Sequence, residues 1–192
     1  IGESGATAYI GVKTTTVTGT YDYPRGGETT KQVINYMNSL EENTTELWRA
    51  ETTSTQTLND GSLNGYNGLS MFNSMANVDT TRFFENFGMM GWKSGNRYTY
   101  AEGSPVTNVF MNLKYIISRD GVYRNTYDLS EAYAVGNEKL LKNDHYIPMG
   151  FMVNNNLTQW VENDNEDQFN PFDQQNDFFK RATGISENVY TP

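Results

Sequence analysis

The chain has 192 residues, enough for one ordinary domain with a buried core. Its net charge of -9 excludes the basic footprint of a nucleic-acid binder and opposes electrostatic docking to anionic lipid. Cys is absent, which excludes a disulfide framework and any thiolate metal site but leaves the compartment open.

No run reaches the roughly 20 apolar residues that span a bilayer; residues 109–117 come nearest and are interrupted by Asn112 and Lys114. The opening IGESGATAYIG carries neither an initiating Met nor a targeting pattern, so the sequence reads as a single domain, 1–192, excised from something larger. Residues 6–20, rich in Thr, Val, Ile and Tyr, read as one or two strands, with a turn over residues 23–27. Over residues 28–43, Val33, Met37 and Leu40 follow the i, i+4, i+7 rule, which predicts a helix capped by Thr29 or Thr30.

Residues 47–51 alternate as a half-buried strand does. After them Gly61, Gly65 and Gly68 recur among Asn59, Asp60, Asn64 and Asn67, residues that tolerate left-handed backbone and bond their own turns. The expectation is a long loop of successive turns with Tyr66 at a tip or on a ledge, and a loop of this length inside a compact domain is usually a functional surface. Residues 80–90 carry Phe83, Phe84, Phe87 and Met90 at helical spacing, with Asp79 or Thr80 as cap and Gly91 as stop. Trp92 then falls in a second glycine-containing loop.

Ser104-Pro105 reads as the N-cap and first position of a short helix. Residues 115–118 form the best strand, and Asp120-Gly121 should turn it into a hairpin with residues 122–127. A strand is expected at 132–135, polar connecting residues at 138–144, and an apolar run at 146–153 whose Pro148 suits an edge or bulge. Asn170-Pro171 opens a terminal helix with Phe172, Gln175, Phe179 and Ala182 on one side and Gly184 at its end. The sum is an α+β fold: a single mixed sheet flanked by helices at 28–43, 80–90 and 171–183, with a three-layer αβα sandwich as the alternative.

Catalysis finds little support in these residues. His145 is the sole histidine, so a Ser-His-carboxylate arrangement would have to use it, and a hydrogen-bonded structural role is the simpler reading. One His and no Cys disfavour zinc. An EF-hand beginning at Asn163 fails, because its sixth position is Gln168 and its twelfth Gln174; Glu162, Asp164, Glu166 and Asp167 form either a solvated acidic loop or an irregular cation site. No catalytic residue, cofactor or metal is assigned.

Sugar binding fits best. Aromatic faces pack on the apolar face of a pyranose while amides and carboxylates bond its hydroxyls, so Tyr66 and Trp92 beside Asn59, Asp60, Asn64 and Asn67 are the glycan-binding candidates. The competing reading is plain: 13 Tyr and 10 Phe mostly build the core, and Asn and Gly are what turns require.

The blocks WRAE, LNDGSLNGYNGLSMFNS, FMNLKYIIS, HYIPMGFMV and NPFDQQNDFFKRATG occur in the order of comparable blocks in the bacterial YfhO family of integral membrane proteins, which this chain resembles over residues 47–184. The first 45 residues resemble it weakly. The resemblance implies an extracytoplasmic domain of a multi-pass membrane protein similar to GT-C glycosyltransferases, associated in Gram-positive bacteria with glycosylating lipoteichoic acid or a related envelope polymer from a lipid-linked sugar. It implies a cell-envelope glycopolymer or glycolipid as partner, membrane attachment through segments outside this sequence, and no nucleic acid. The family's catalytic carboxylate belongs to a loop between early membrane helices, so this chain alone should be inactive. Arg49 and Lys114 are then candidates for phosphate contact in a donor or acceptor, against the ordinary reading of surface or ion-paired cations. A structural or protein-interaction module that binds no glycan is the alternative function.

Overall fold

The protein's structure is a computed structural model that describes residues 2–14, 27–92, 96–100, 103–119, 128–162 and 170–191. In chain order these form α1 (Gly2–Thr14), α2 (Gly27–Leu40), β1 (Arg49–Thr52), α3 (Asp60–Asn64), β2 (Met71–Phe72), α4 (Val78–Asn86), β3 (Met90–Trp92), β4 (Arg97–Thr99), α5 (Pro105–Phe110), β5 (Leu113–Ser118), β6 (Leu129–Val135), β7 (Glu138–Asn143) and α6 (Pro171–Thr183). A 3-10 turn, Asn155–Gln159, precedes α6. The class is α+β, as the sequence predicts, but the strands are divided over two sheets. One is four-stranded in the order β1-β5-β7-β6, and the other is three-stranded in the order β2-β4-β3.

The larger sheet is mixed: β1 runs parallel to β5, while β7 is antiparallel to both β5 and β6. Both of its faces are covered. On one side Val33, Ile34 and Met37 of α2 pack on Ala50, Tyr115, Ile117 and Leu140. On the other, Ile116 and Leu141 meet Phe84, Phe87, Met89, Met111, Phe178 and Ala182 from the layer of α4, α5 and α6. The paired registers Ile116↔Leu141 and Ile117↔Leu140 send neighbouring apolar residues to opposite cores, which is why β5 reads as a continuous apolar run.

Helix ends follow their caps. Ser104 accepts from the Thr107 N–H ahead of Pro105, and Asn170 accepts from the Phe172 N–H ahead of Pro171, with Gly184 left-handed at the C-terminus. Several expectations are corrected. Residues 6–14 are helical within α1, none of them buried; with no strand paired to them among the described residues, intrahelical bonding satisfies the backbone and overrides β-branched preference. Residues 15–20 and most of the predicted turn lie outside the described residues, and Gly27 opens α2. α4 begins at Val78 behind an Asn77 cap and stops before Gly88, whose φ is +74°, so Met90 and Trp92 enter a strand instead.

Polar residues 138–143 form β7, an interior strand, because Leu140 and Leu141 face the two cores while Glu138 and Asn143 are buried in hydrogen-bonded positions. The apolar run 146–153 makes no strand and lies largely exposed. In α2, Leu40 is exposed; in α6, Phe178 takes the inward position expected of Phe179, and Phe172 is exposed. The predicted hairpin partner at 122–127 lies outside the described residues, as do residues 163–169 of the acidic loop.

Among the described residues no helix is long and apolar enough to cross a membrane, and no group of three or more His, Asp or Glu side chains is placed to hold a metal ion.

Candidate functional site

The glycine-rich segment after β1 folds back on that strand and closes a pocket. Gly61 at the start of α3 and Gly68 in the following loop touch backbone to backbone: a methyl group on Gly61 would lie 2.9 Å from both the Gly68 nitrogen and the Tyr66 carbonyl oxygen. Neither neighbour is a side chain that can swing away. Gly61→Ala should therefore cost about 1–3 kcal/mol by overpacking, read as a lower urea midpoint with an unchanged slope; a loss below about 0.5 kcal/mol would contradict this close contact.

Glu51 of β1 holds the other end of the segment. Its side chain is 1% exposed, and its carboxylate accepts from three backbone N–H groups: Thr52 at 2.9 Å, Leu69 at 2.8 Å and Ser70 at 2.7 Å. Asp60 does the same for the preceding turn, accepting from the N–H groups of Gln56 and Thr57, both at 2.8 Å, and pairing with Arg119 at 3.1 Å. The Arg119 guanidinium also faces Glu138 at 4.0 Å, and Glu138 Oε1 accepts from the Thr30 hydroxyl of α2. One cation thus ties the loop, β5, β7 and α2 together.

Burial raises the Glu138 pKa above its ordinary 4.5, against the opposing pull of Thr30 and Arg119. Ionising this group therefore costs the folded state, and its contribution to stability, complete below the unfolded-state pKa, is lost as pH rises through the raised value. Glu138→Gln keeps an acceptor for Thr30 and cannot ionise. Its stability relative to the wild-type chain should climb as pH rises above about 4.5, in paired urea titrations; a pH-independent difference would contradict the assignment.

The resulting cavity, about 360 Å³, lies between the start of β1, α3, the loop, Met71 of β2 and Met149. It gathers four of the residues singled out from sequence: Arg49, Asn59, Tyr66 and Asn67. Among the described residues lining it, Arg49 alone is charged. Its Nη1 donates to the Met111 carbonyl at 3.2 Å, and the other guanidinium N–H groups have no partner among the described residues. Asn67 is exposed; its carbonyl accepts from the Ala50 N–H, and its side-chain Nδ2 donates to the Trp48 carbonyl at 3.4 Å. Asn59 brackets Phe72 with its side-chain amide, donating to that residue's carbonyl and accepting from its N–H.

Tyr66 is buried, not a loop tip. It lines the cavity while its hydroxyl, buried with no hydrogen-bond partner among the described residues, is pushed up in pKa by burial and by the nearby Glu51 and Asp60 carboxylates. The remaining candidates do not line this cavity. Asp60 is turned inward, and Asn64 donates to the Asp60 carbonyl. Lys114 pairs with Glu41 at 2.7 Å beside a different cavity, lined also by Tyr36 and Lys142. Trp92 is exposed on the smaller sheet, stacked with the Arg97 guanidinium at 3.9 Å. His145 is exposed in the turn after β7. Sequence reasoning missed Ser62, Ser70, Met71 and Met149 in the lining and the supporting roles of Glu51 and Arg119; only the charge placed at 51 within a strand hinted at any of them.

Such a cavity can bond hydroxyls through amides and serines, present one aromatic face and neutralise one negative charge. The family model described as "Bacterial membrane protein YfhO" matches residues 2–192. No curated protein and no solved structure matches the chain.

Proposed function

Because the chain belongs to the YfhO family of bacterial membrane proteins, we propose that it is an extracytoplasmic domain, 1–192, that helps such a membrane protein glycosylate lipoteichoic acid or another envelope polymer by binding the glycopolymer acceptor. The observation that carries this reading is the convergence of Asn59, Asn67, Tyr66 and Arg49 on one cavity with no acidic lining among the described residues. The amides and Ser70 would bond sugar hydroxyls, and Arg49 would meet a phosphate of the polymer. The chain by itself is expected to transfer no sugar, and turnover of a lipid-linked sugar by it would overturn that.

An amide-resolved NMR titration with lipoteichoic-acid-derived oligosaccharides tests the proposal. Saturable shifts at Ser62, Asn67 and Ser70 that disappear in Asn67→Ala are the expected result. That substitution leaves the Asn67 backbone bond to Ala50 in place. Silence at millimolar oligosaccharide would shift the assignment to a module that docks against another part of the membrane protein without binding glycan. The outward row of Phe72, Arg97 and Trp92 on the smaller sheet favours that second reading.

A further inference from the structure

A second cavity, about 740 Å³, opens beside the first. Its walls are mostly apolar, with Val106, Val109 and Phe110 of α5, Phe179 of α6, and Phe151 and Val153, and with His145, Asn154 and Thr183 as the polar lining residues. One stretch of chain lines both cavities. Met149 faces the Arg49 pocket, whereas Ile147 and Phe151, on either side of it in the chain, face the apolar groove. That stretch is anchored by Asn112, which, held left-handed at φ +61°, donates from Nδ2 to the Ile147 carbonyl at 2.8 Å. A second junction lies at the end of α5, where Phe110 lines the groove and the carbonyl of the next residue, Met111, holds Arg49.

We propose that this groove takes the hydrocarbon chain of an anionic amphiphile whose head group lies against Arg49. The proposal rests on the Arg49 pocket being a binding site, but not on its ligand being a glycopolymer. Charge selects the head group: Arg49 is the lone charge among the described lining residues and pairs with no carboxylate among them. An anionic group on the ligand therefore meets a counter-charge, which an uncharged head group does not supply. Chemistry selects the tail: an extended peptide would bring backbone N–H and C=O groups into a groove whose walls are mostly apolar, whereas a hydrocarbon chain brings none. Met152, 99% exposed at the groove's lip, extends the apolar surface outward, and a membrane protein has such amphiphiles at hand.

Calorimetric titration of the 192-residue chain with octyl, decyl and dodecyl phosphate, below their micelle concentrations, tests this, with glycerol 1-phosphate and dodecyl maltoside as tail-free and uncharged comparisons. Affinity should rise roughly three- to fourfold for each added methylene. Arg49→Gln should weaken all three alkyl phosphates by a similar factor and leave the maltoside unchanged. Val153→Asp, at an exposed groove position, should remove the chain-length dependence. Equal affinity for octyl and dodecyl phosphate, retained chain-length dependence in Val153→Asp, or indifference to Arg49→Gln would each overturn the proposal. So would self-association abolished by Val153→Asp, which would make the groove an interface between copies. Oligosaccharide binding without any chain-length effect removes this proposal alone; chain-length-dependent phosphate binding with silent oligosaccharides supports it and removes the glycan reading alone.

Discussion

Glu51→Ala should lower the stability of the fold by about 4 kcal/mol, close to the limit that a domain with roughly 5–15 kcal/mol in hand tolerates. The carboxylate of Glu51 is the shared acceptor for the Thr52, Leu69 and Ser70 N–H groups, and methyl replacement strands two of them in the interior and the third at its edge. Each buried, unsatisfied donor costs about 1–3 kcal/mol. Glu51→Gln discriminates hydrogen bonding from packing: it preserves volume and an acceptor for Thr52 but turns an NH2 group toward two N–H donors, so it should still cost about 2 kcal/mol. Urea denaturation measures both. Losses below about 1 kcal/mol for each would show that water replaces the carboxylate without penalty.

Arg119→Met should cost about 3–5 kcal/mol, because it leaves buried carboxylates without their counter-charge. Asp60 is 1% exposed and Glu138 7%. The damage should fall unequally: Asp60 retains two backbone donors, whereas Glu138 retains the Thr30 hydroxyl. Since Arg119 lowers the Glu138 pKa, the variant should titrate higher and its stability should fall more steeply with rising pH than that of the wild-type chain. Adding Glu138→Gln should then recover part of the loss, and strict additivity of the two substitutions would show that they do not interact.

Helices α2, α4, α5 and α6 were legible because their signals are local, whereas α1 and α3 were read as strand and loop. Ser104-Pro105 and Asn170-Pro171 announce α5 and α6 by capping chemistry that needs no tertiary partner. β7 was not legible: Glu138 and Asn143 look like solvent-facing residues until Thr30 and the Leu113 carbonyl, far away in sequence, satisfy them. α6 shows the finer limit, since adjacent Phe178 and Phe179 fit the periodicity equally well and only the ring cluster of Phe83, Phe87 and Phe110 decides which turns inward. The pocket was half legible. Asn and Gly announce the turns, and the amides at 59 and 67 do line the cavity, but Asp60 and Asn64 are committed to backbone groups of their own segment. Met149 arrives from another part of the chain, and no pattern in either segment encodes that meeting.

The cation that locks the loop is spaced 59 residues after Asp60, and the Thr30–Glu138 bond spans 108. A polypeptide emerging from its N-terminus therefore exposes the whole glycine-rich segment before either lock exists, and Asp60 stays hydrated until Arg119 follows. Assembly of the pocket is thereby deferred to the step in which β5 and β7 join β1, the slow, long-range part of folding. A chain ending before Arg119 should leave the amides of residues 56–70 in rapid hydrogen exchange, whereas one carried through β7 should protect them together. The order of synthesis, as much as the contacts, then determines when this surface first becomes able to recognise anything.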